Sequence, residues 1–428
     1  MVQTVPFRGL RYTAPYTRAT VFSPPYDVID PEQRRRYLEG DAHNIVAIDL
    51  APGAGDANWY AEAADTMARW LEEGVLAHDE SPAFYGYRQH FSLGGREQVR
   101  TGYIGRVRLQ EWGQGIHRHE LTRVGPRADR LRLMQALHAN TSPVFGMYRD
   151  PQGDIARHLE PPATTAVDVV DEDGVRHIFW PIVDPQTIAA LSAAMADRDI
   201  VIADGHHRYE TAMAYRAGRR AAEDDPVEPQ PYDYVLMYLT AAEDPGLCIL
   251  PTHRVIAATG GGGPDDATLL DALRIDFDIE PFEGPGSLSD AVADAARDRL
   301  TIGVCLPQSG SSLLRLKDLA RARRAAGDTV AAELADLDVV VLQNLVLAPH
   351  LGITREVLAH GERVSYTIHE DRACAQVAAG EARAAFILSP TTVEQVWQAA
   401  VHGITMPQKS TYFYPKLLTG LVINPLDE

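Results

Sequence analysis

The feature that most constrains the fold is the stretch DIVIADGHHRYETAMAYRAG, residues 199–218. Its β-branched run, Ile200 to Ala203, suits a buried central strand. The run ends at Asp204, Gly205 permits a sharp turn, and a helical pattern starting at His206 is expected to end at Gly218. A strand, a tight turn and a helix in direct succession call for a sheet covered by helices.

The same joint breaks a local electrostatic preference. The first turn of a helix leaves backbone N–H groups unpaired and favours negative charge. Here that turn carries His206, His207 and Arg208. Cationic and ionisable residues at such a place point to an anion docking there, with the Asp204 carboxylate alongside. Taken singly, Asp204 reads as a helix cap and the others as ordinary core or surface residues. Together they read as a phosphate cradle. A metal site fits less well, because neighbouring histidines on a helix point in different directions.

With 428 residues the chain is long enough for two or three domains. Three segments are expected: an α/β unit over 1–104, a central unit over 105–257 and an α/β unit over 258–428. The run ATGGGGPDD, residues 258–266, marks the second boundary. In the first segment, Ala64, Met67, Ala68, Leu71 and Val75 form an apolar stripe predicting a helix. Gly94-Gly95 then predicts a tight turn between two strands. The expected class is α/β, or α+β, with mixed sheets.

The formal charge of -19 repels phosphate backbones and acidic membranes, so nucleic acid and membrane are not expected partners. No stretch has the length of a bilayer span or the pattern of a signal peptide. Cys248, Cys305 and Cys374 are odd in number and widely spaced, which predicts a reducing, cytoplasmic setting without a disulfide framework.

Three further clusters carry chemistry. In HRHELT, residues 117–122, the second histidine of HExxH is absent, so the zinc-protease reading fails. What remains is Glu120 beside His119, with Arg118 and Arg123 close by, a carboxylate suited to general-base work or to magnesium. MPQKSTYFYPK, residues 406–416, sets Lys409, Ser410 and Thr411 in a row without the glycines of a Walker motif. Its lysine can still reach a phosphate. Thr252, His253 and Arg254 follow an apolar strand and the turn at Pro251, and Asp27 lies in the stiff acidic turn PPYDVID. These last four, with Ser410 and Thr411, are the candidates for substrate binding.

The DGHHR run at 204–208, ending a strand and opening a helix after an upstream His-Glu pair, resembles the phosphate-binding signature of the ParB/sulfiredoxin fold, and within it the free-serine kinase branch. Over nearly its full length the chain is also similar to the DUF1015 family. The similarity is carried by PPYDV, by HE followed by DRLRL, and by DGHHRYETA, PTHR and MPQKSTYFYPKL. The kinase resemblance implies a ParB/sulfiredoxin-like central domain flanked by α/β domains. It implies a nucleotide-dependent kinase acting on a small hydroxyl compound, plausibly free serine or a relative. Glu120 would be the catalytic base, with Asp204 and His206 as further catalytic residues. Gly205, His206, His207, Arg208, His119 and Lys409 would bind phosphate. Glu120 and Asp204 would share Mg2+, and ATP or ADP would donate the phosphoryl group. The alternative is a nucleotide switch like the partition-protein branch, which uses CTP to control clamping on DNA. It needs a DNA-reading element, and no basic helix-turn-helix is found. A homodimer stays open.

Overall fold

The computed structural model describes residues 1–50, 58–120, 124–224, 226–258, 264–284, 286–327, 331, 334–360 and 363–427. The chain divides into two compact units. The first is made of Met1–Cys248 together with Pro415–Glu428, and the second is Ile249–Tyr414. The boundary expected at 104/105 falls inside one strand, Arg96–Arg108. The return of the chain to the first unit after Tyr414 has no counterpart in the three-segment expectation.

A nine-stranded mixed sheet forms the first unit's core. From one edge its strands are Ile116–His117, Ile200–Asp204, Val144–Tyr148, Tyr234–Ala241, Arg96–Arg108, Phe84–Leu93, Arg176–Ile182 and Val167–Val170, with Thr4–Val5 added beside Arg96–Arg108. Ile200–Asp204 runs parallel to Ile116–His117 and antiparallel to Val144–Tyr148. The hairpin Phe84–Leu93/Arg96–Arg108 closes at Gly94 and Gly95, both with positive φ (56° and 73°), as a two-residue turn requires.

Helix Pro185–Met195 starts where its sequence says it should. The Asp184 carboxylate accepts from Thr187 N, and Pro185 occupies the first turn, where a missing N–H costs nothing. Helix Trp59–Glu72 also forms, but the face it buries differs from the expected one. Trp59, Ala63 and Trp70 are buried, whereas Ala68 is exposed and Ala64, Met67 and Leu71 are half-buried. The two indoles dominate because each buries far more apolar surface than an alanine. Helix His206–Ala222 runs past Gly218. A single glycine weakens a helix by about 1 kcal/mol, too little to stop one anchored by buried Tyr209, Ala212 and Tyr215.

The second unit holds a six-stranded antiparallel sheet in the order Phe277–Pro281, Gly310–Leu316, Thr301–Leu306, Ala382–Ile387, His253–Ala257, Val364–Thr367. The Glu370 carboxylate accepts from the backbone N–H groups of Leu288 (2.6 Å) and Ser289 (2.8 Å), capping helix Leu288–Ala296. The expected absence of disulfides does not hold. Cys305 on strand Thr301–Leu306 and Cys374 on helix Glu370–Ala378 are joined, 69 residues apart in sequence, with Cα atoms 5.7 Å apart. Sequence spacing hides this pair because packing of the helix on the sheet creates the proximity. Cys248 is free. Among the described residues no helix is long and apolar enough to cross a membrane.

Candidate active site

Asp204 is the last residue of its strand, and its neighbours on either side are set by backbone geometry. Gly205 adopts φ +90°, a conformation that side-chain-bearing residues rarely take. A Cβ there would also lie 2.8–2.9 Å from the Arg208 guanidinium, which folds back over the glycine. The Asp204 Oδ1 accepts from Gly205 N at 2.7 Å, and Oδ2 pairs with Lys416 Nζ at 2.9 Å. Arg208 Nη2 stands 3.9 Å from Oδ1. Burial alone would raise the Asp204 pKa. Lys416 and Arg208 outweigh it and hold the carboxyl well below the usual carboxylate range.

The parallel pairing Ile116↔Ile200 and His117↔Val201, continued along both chains, carries His119 and Glu120 to the same end of the sheet as Asp204. His119 Nδ1 lies 2.9 Å from the carbonyl oxygen of Ile202, so Nδ1 carries the proton and donates. The rings of His119 and His206 meet edge to face, 4.7 Å between centroids. Glu120, the residue after His119 in the chain, is half-buried. Burial pushes the pKa of His119 down to about 4. Burial, with His119 beside it, takes that of His206 well below the ordinary imidazole value. Both rings are therefore neutral at pH 7. His206 Nε2 is buried without a hydrogen-bond partner among the described residues.

These facts revise the electrostatics read from the sequence. His119 and His206 bring hydrogen-bonding nitrogens and not positive charge. Arg208 is buried, with Nη1 donating to Ser142 Oγ (3.0 Å) and to the carbonyl of Pro143. Its Nε–Nη2 edge faces the Asp204–Gly205 turn. His207 is half-buried in the same first turn.

Asp27 is exposed in the short turn Tyr26–Val28. Its neighbour Tyr26 lines a cavity of about 40 Å³ together with Asp49, Arg130, Ser142, Arg208 and Thr211. Lys409, Ser410, Thr411, Thr252, His253 and Arg254 belong to the second unit. There Arg254 donates to the carbonyls of Thr252 and of Lys409 (3.1 Å), and Thr391 Oγ1 to that of Ser410 (2.9 Å). As expected, Thr252, His253 and Arg254 follow a short strand, Cys248–Leu250; His253 and Arg254 open the next one, His253–Ala257. The residue that sequence reasoning missed is Lys416. It ends the stretch MPQKSTYFYPK, but 212 residues separate it from Asp204, and no spacing rule connects them.

Among the described residues no group of three or more His, Cys, Asp or Glu side chains is gathered for a metal. Magnesium is commonly held by one or two carboxylates plus phosphate oxygens, a demand that Asp204 and Glu120 fit in number and type.

A pH dependence follows from the neutral buried imidazoles. Unfolded histidine titrates near 6.5, so as pH falls the unfolded chain takes up protons first. Stability from His119 is expected to be intact above about pH 6.5 and to be lost progressively down to about pH 4, on the order of 3 kcal/mol. Asp204, with its lowered pKa, adds a loss only further down, below the ordinary carboxylate range. His253, also lowered to about 4 by burial, gives the second unit the same window as His119. Urea unfolding between pH 7.5 and 4 tests this. His119→Asn, whose amide can replace the Nδ1–H donor, should flatten the first unit's curve. A wild-type curve already flat over that range would refute the assignment.

The fold and this corner define a class: a two-unit α/β protein with an ionised carboxylate at a strand end, beside a glycine turn and a helix N-terminus. The chain belongs to the DUF1015 family, a protein family of unknown function, whose profile matches residues 4–340. No curated protein matches the sequence. Among solved structures, a conserved hypothetical protein from Pyrococcus furiosus is similar over 76% of this chain and 97% of its own, at 12% identity and TM-score 0.35. A free serine kinase in complex with AMP is similar over 76% and 93%, at 12% identity and TM-score 0.35. SbnI from Staphylococcus aureus, truncated at its C-terminus, is similar over 74% and 86%, at 11% and 0.35.

Proposed function

We propose that the protein is a nucleotide-dependent kinase that transfers a phosphoryl group to the hydroxyl of a small molecule, a hydroxy amino acid such as free serine being the first acceptor to try. The observation that carries the reading is the Asp204 corner. A carboxylate held ionised stands at the start of a 17-residue helix, with Arg208 folded over the intervening glycine and Glu120 brought alongside by the parallel strands. The helix N-terminus and the cations favour phosphate oxygens. Phosphoryl transfer asks little covalent chemistry of a protein. It needs in-line placement, cations on the phosphate and a base for the hydroxyl proton. In this reading Glu120 is that base, and His119 and His206 serve as neutral hydrogen-bonding groups to phosphate. Magnesium would be held by Asp204 together with the nucleotide's phosphate oxygens.

The test is to incubate the full chain with magnesium, ATP or ADP, and a panel of hydroxy amino acids including L-serine, following products by 31P NMR. A new phosphomonoester signal is the expected result. Tight nucleotide binding without turnover on any acceptor would favour a non-catalytic switch, and absence of nucleotide binding would remove the reading altogether.

A further inference from the structure

Lys416 reaches Asp204 because three buried side chains hold the backbone on which it sits. Arg100 Nη2 donates to the carbonyl of Pro415 at 2.6 Å. Gln89 Nε2 donates to the carbonyl of Lys416 at 2.9 Å, and its Oε1 accepts from Arg100 Nε at 3.1 Å. Leu418 N donates to the Tyr87 hydroxyl at 3.3 Å. Tyr87 in turn lies 2.6 Å from His177 Nδ1, and His177 Nε2 lies 2.8 Å from Asp171 Oδ2. Arg100, Gln89, Tyr87 and His177 are all fully buried, and the Arg100 guanidinium lies 4.8 Å from the centre of the Phe145 ring.

Each of these ties to the segment ends on main chain. The network therefore fixes the path of residues 415–418 and leaves the Lys416 side chain to meet the strand end. An ion pair with side chains 14% and 23% exposed is a poor device for stability alone, since desolvation offsets most of the attraction. A polar core that fixes the backbone bearing one ammonium against the carboxylate of an anion-binding turn has a clearer use in positioning charge.

We infer that Lys416 is a catalytic residue that donates to the non-bridging oxygens of the phosphoryl group in flight, oriented by Asp204. The inference rests on the kinase reading above. In the step, the acceptor oxygen bonds to phosphorus and the bond to the nucleotide's bridging oxygen breaks, its electron pair staying on the departing nucleotide. The acceptor's hydroxyl proton passes to Glu120. Charge on the phosphoryl oxygens is met by an ammonium already in place, so no reorganisation is needed at that moment. Arginine at this position keeps the charge but not the compact geometry.

The test uses the full chain carrying K416M or K416R, with magnesium-ATP and L-serine (or the acceptor found above), and direct titration with ATP and with AMP. K416M is expected to lower kcat by about 100-fold or more, with K416R recovering part of the loss. K416M is also expected to shrink the ratio of ATP to AMP affinity, which a merely structural lysine would leave alone. A folded K416M that keeps both kcat and that ratio overturns the inference while the kinase reading stands. If K416M does not fold, the same two readings on K416R decide, and wild-type values there overturn the inference. A wild-type chain that neither binds nor turns over nucleotide fails the kinase reading itself, and the role of Lys416 falls with it.

Discussion

Glu120→Gln is expected to lower turnover by about 10²–10⁴-fold, the range associated with loss of a general base, while nucleotide affinity changes by less than about threefold. The substitution keeps size and hydrogen-bonding capacity and removes only the ability to take a proton. Glu120 follows His119, whose ring is fixed by its bond to the Ile202 carbonyl and its packing on His206, so the local backbone should survive the change. Steady-state kinetics with the acceptor found in the screen, paired with nucleotide titration, separate the two effects. A variant with wild-type kcat would move the base elsewhere.

Arg100→Met is expected to have the largest effect on stability. The guanidinium is fully buried and satisfies both the Pro415 carbonyl and Gln89 Oε1. Methionine fills much of the space but leaves two buried acceptors unpaired, at a cost of roughly 2–5 kcal/mol for the pair. Urea unfolding should show the first unit's transition shifted down. Limited proteolysis should cut around residue 415 before the sheet is lost, because the ties to that segment weaken first. A change within about 0.5 kcal/mol would mean that the network relaxes around the gap.

Local signals were legible where the deciding interactions are local. Gly94-Gly95 predicts a tight turn between two strands, and both glycines take positive φ there. The run Ile200–Ala203 is buried throughout, and Gly205 takes the positive φ its place requires. Direction and long-range partnership were not legible. A helical pattern cannot say that Arg208 folds inward onto Ser142, or that burial leaves His119 and His206 uncharged. The stripe on helix Trp59–Glu72 was misjudged by counting small apolar residues and not weighing the indoles. The Cys305–Cys374 bridge and the Lys416–Asp204 pair arise from tertiary packing across 69 and 212 residues, beyond any periodicity.

The first unit is written in the chain as two pieces, with Ile249–Tyr414 spelled between them. On the ribosome, then, the strand bearing Asp204 emerges long before its lysine does, and the whole intervening unit must be translated in the meantime. Until residues 415–418 arrive, the nascent sheet has a desolvating carboxylate with no ammonium to meet it, and Arg100 and Gln89 have no carbonyls to grip. Maturation of the corner is thereby deferred until the second piece is made, so a product terminated within the intervening unit would carry the strand, the turn and the helix and still lack its full set of charges.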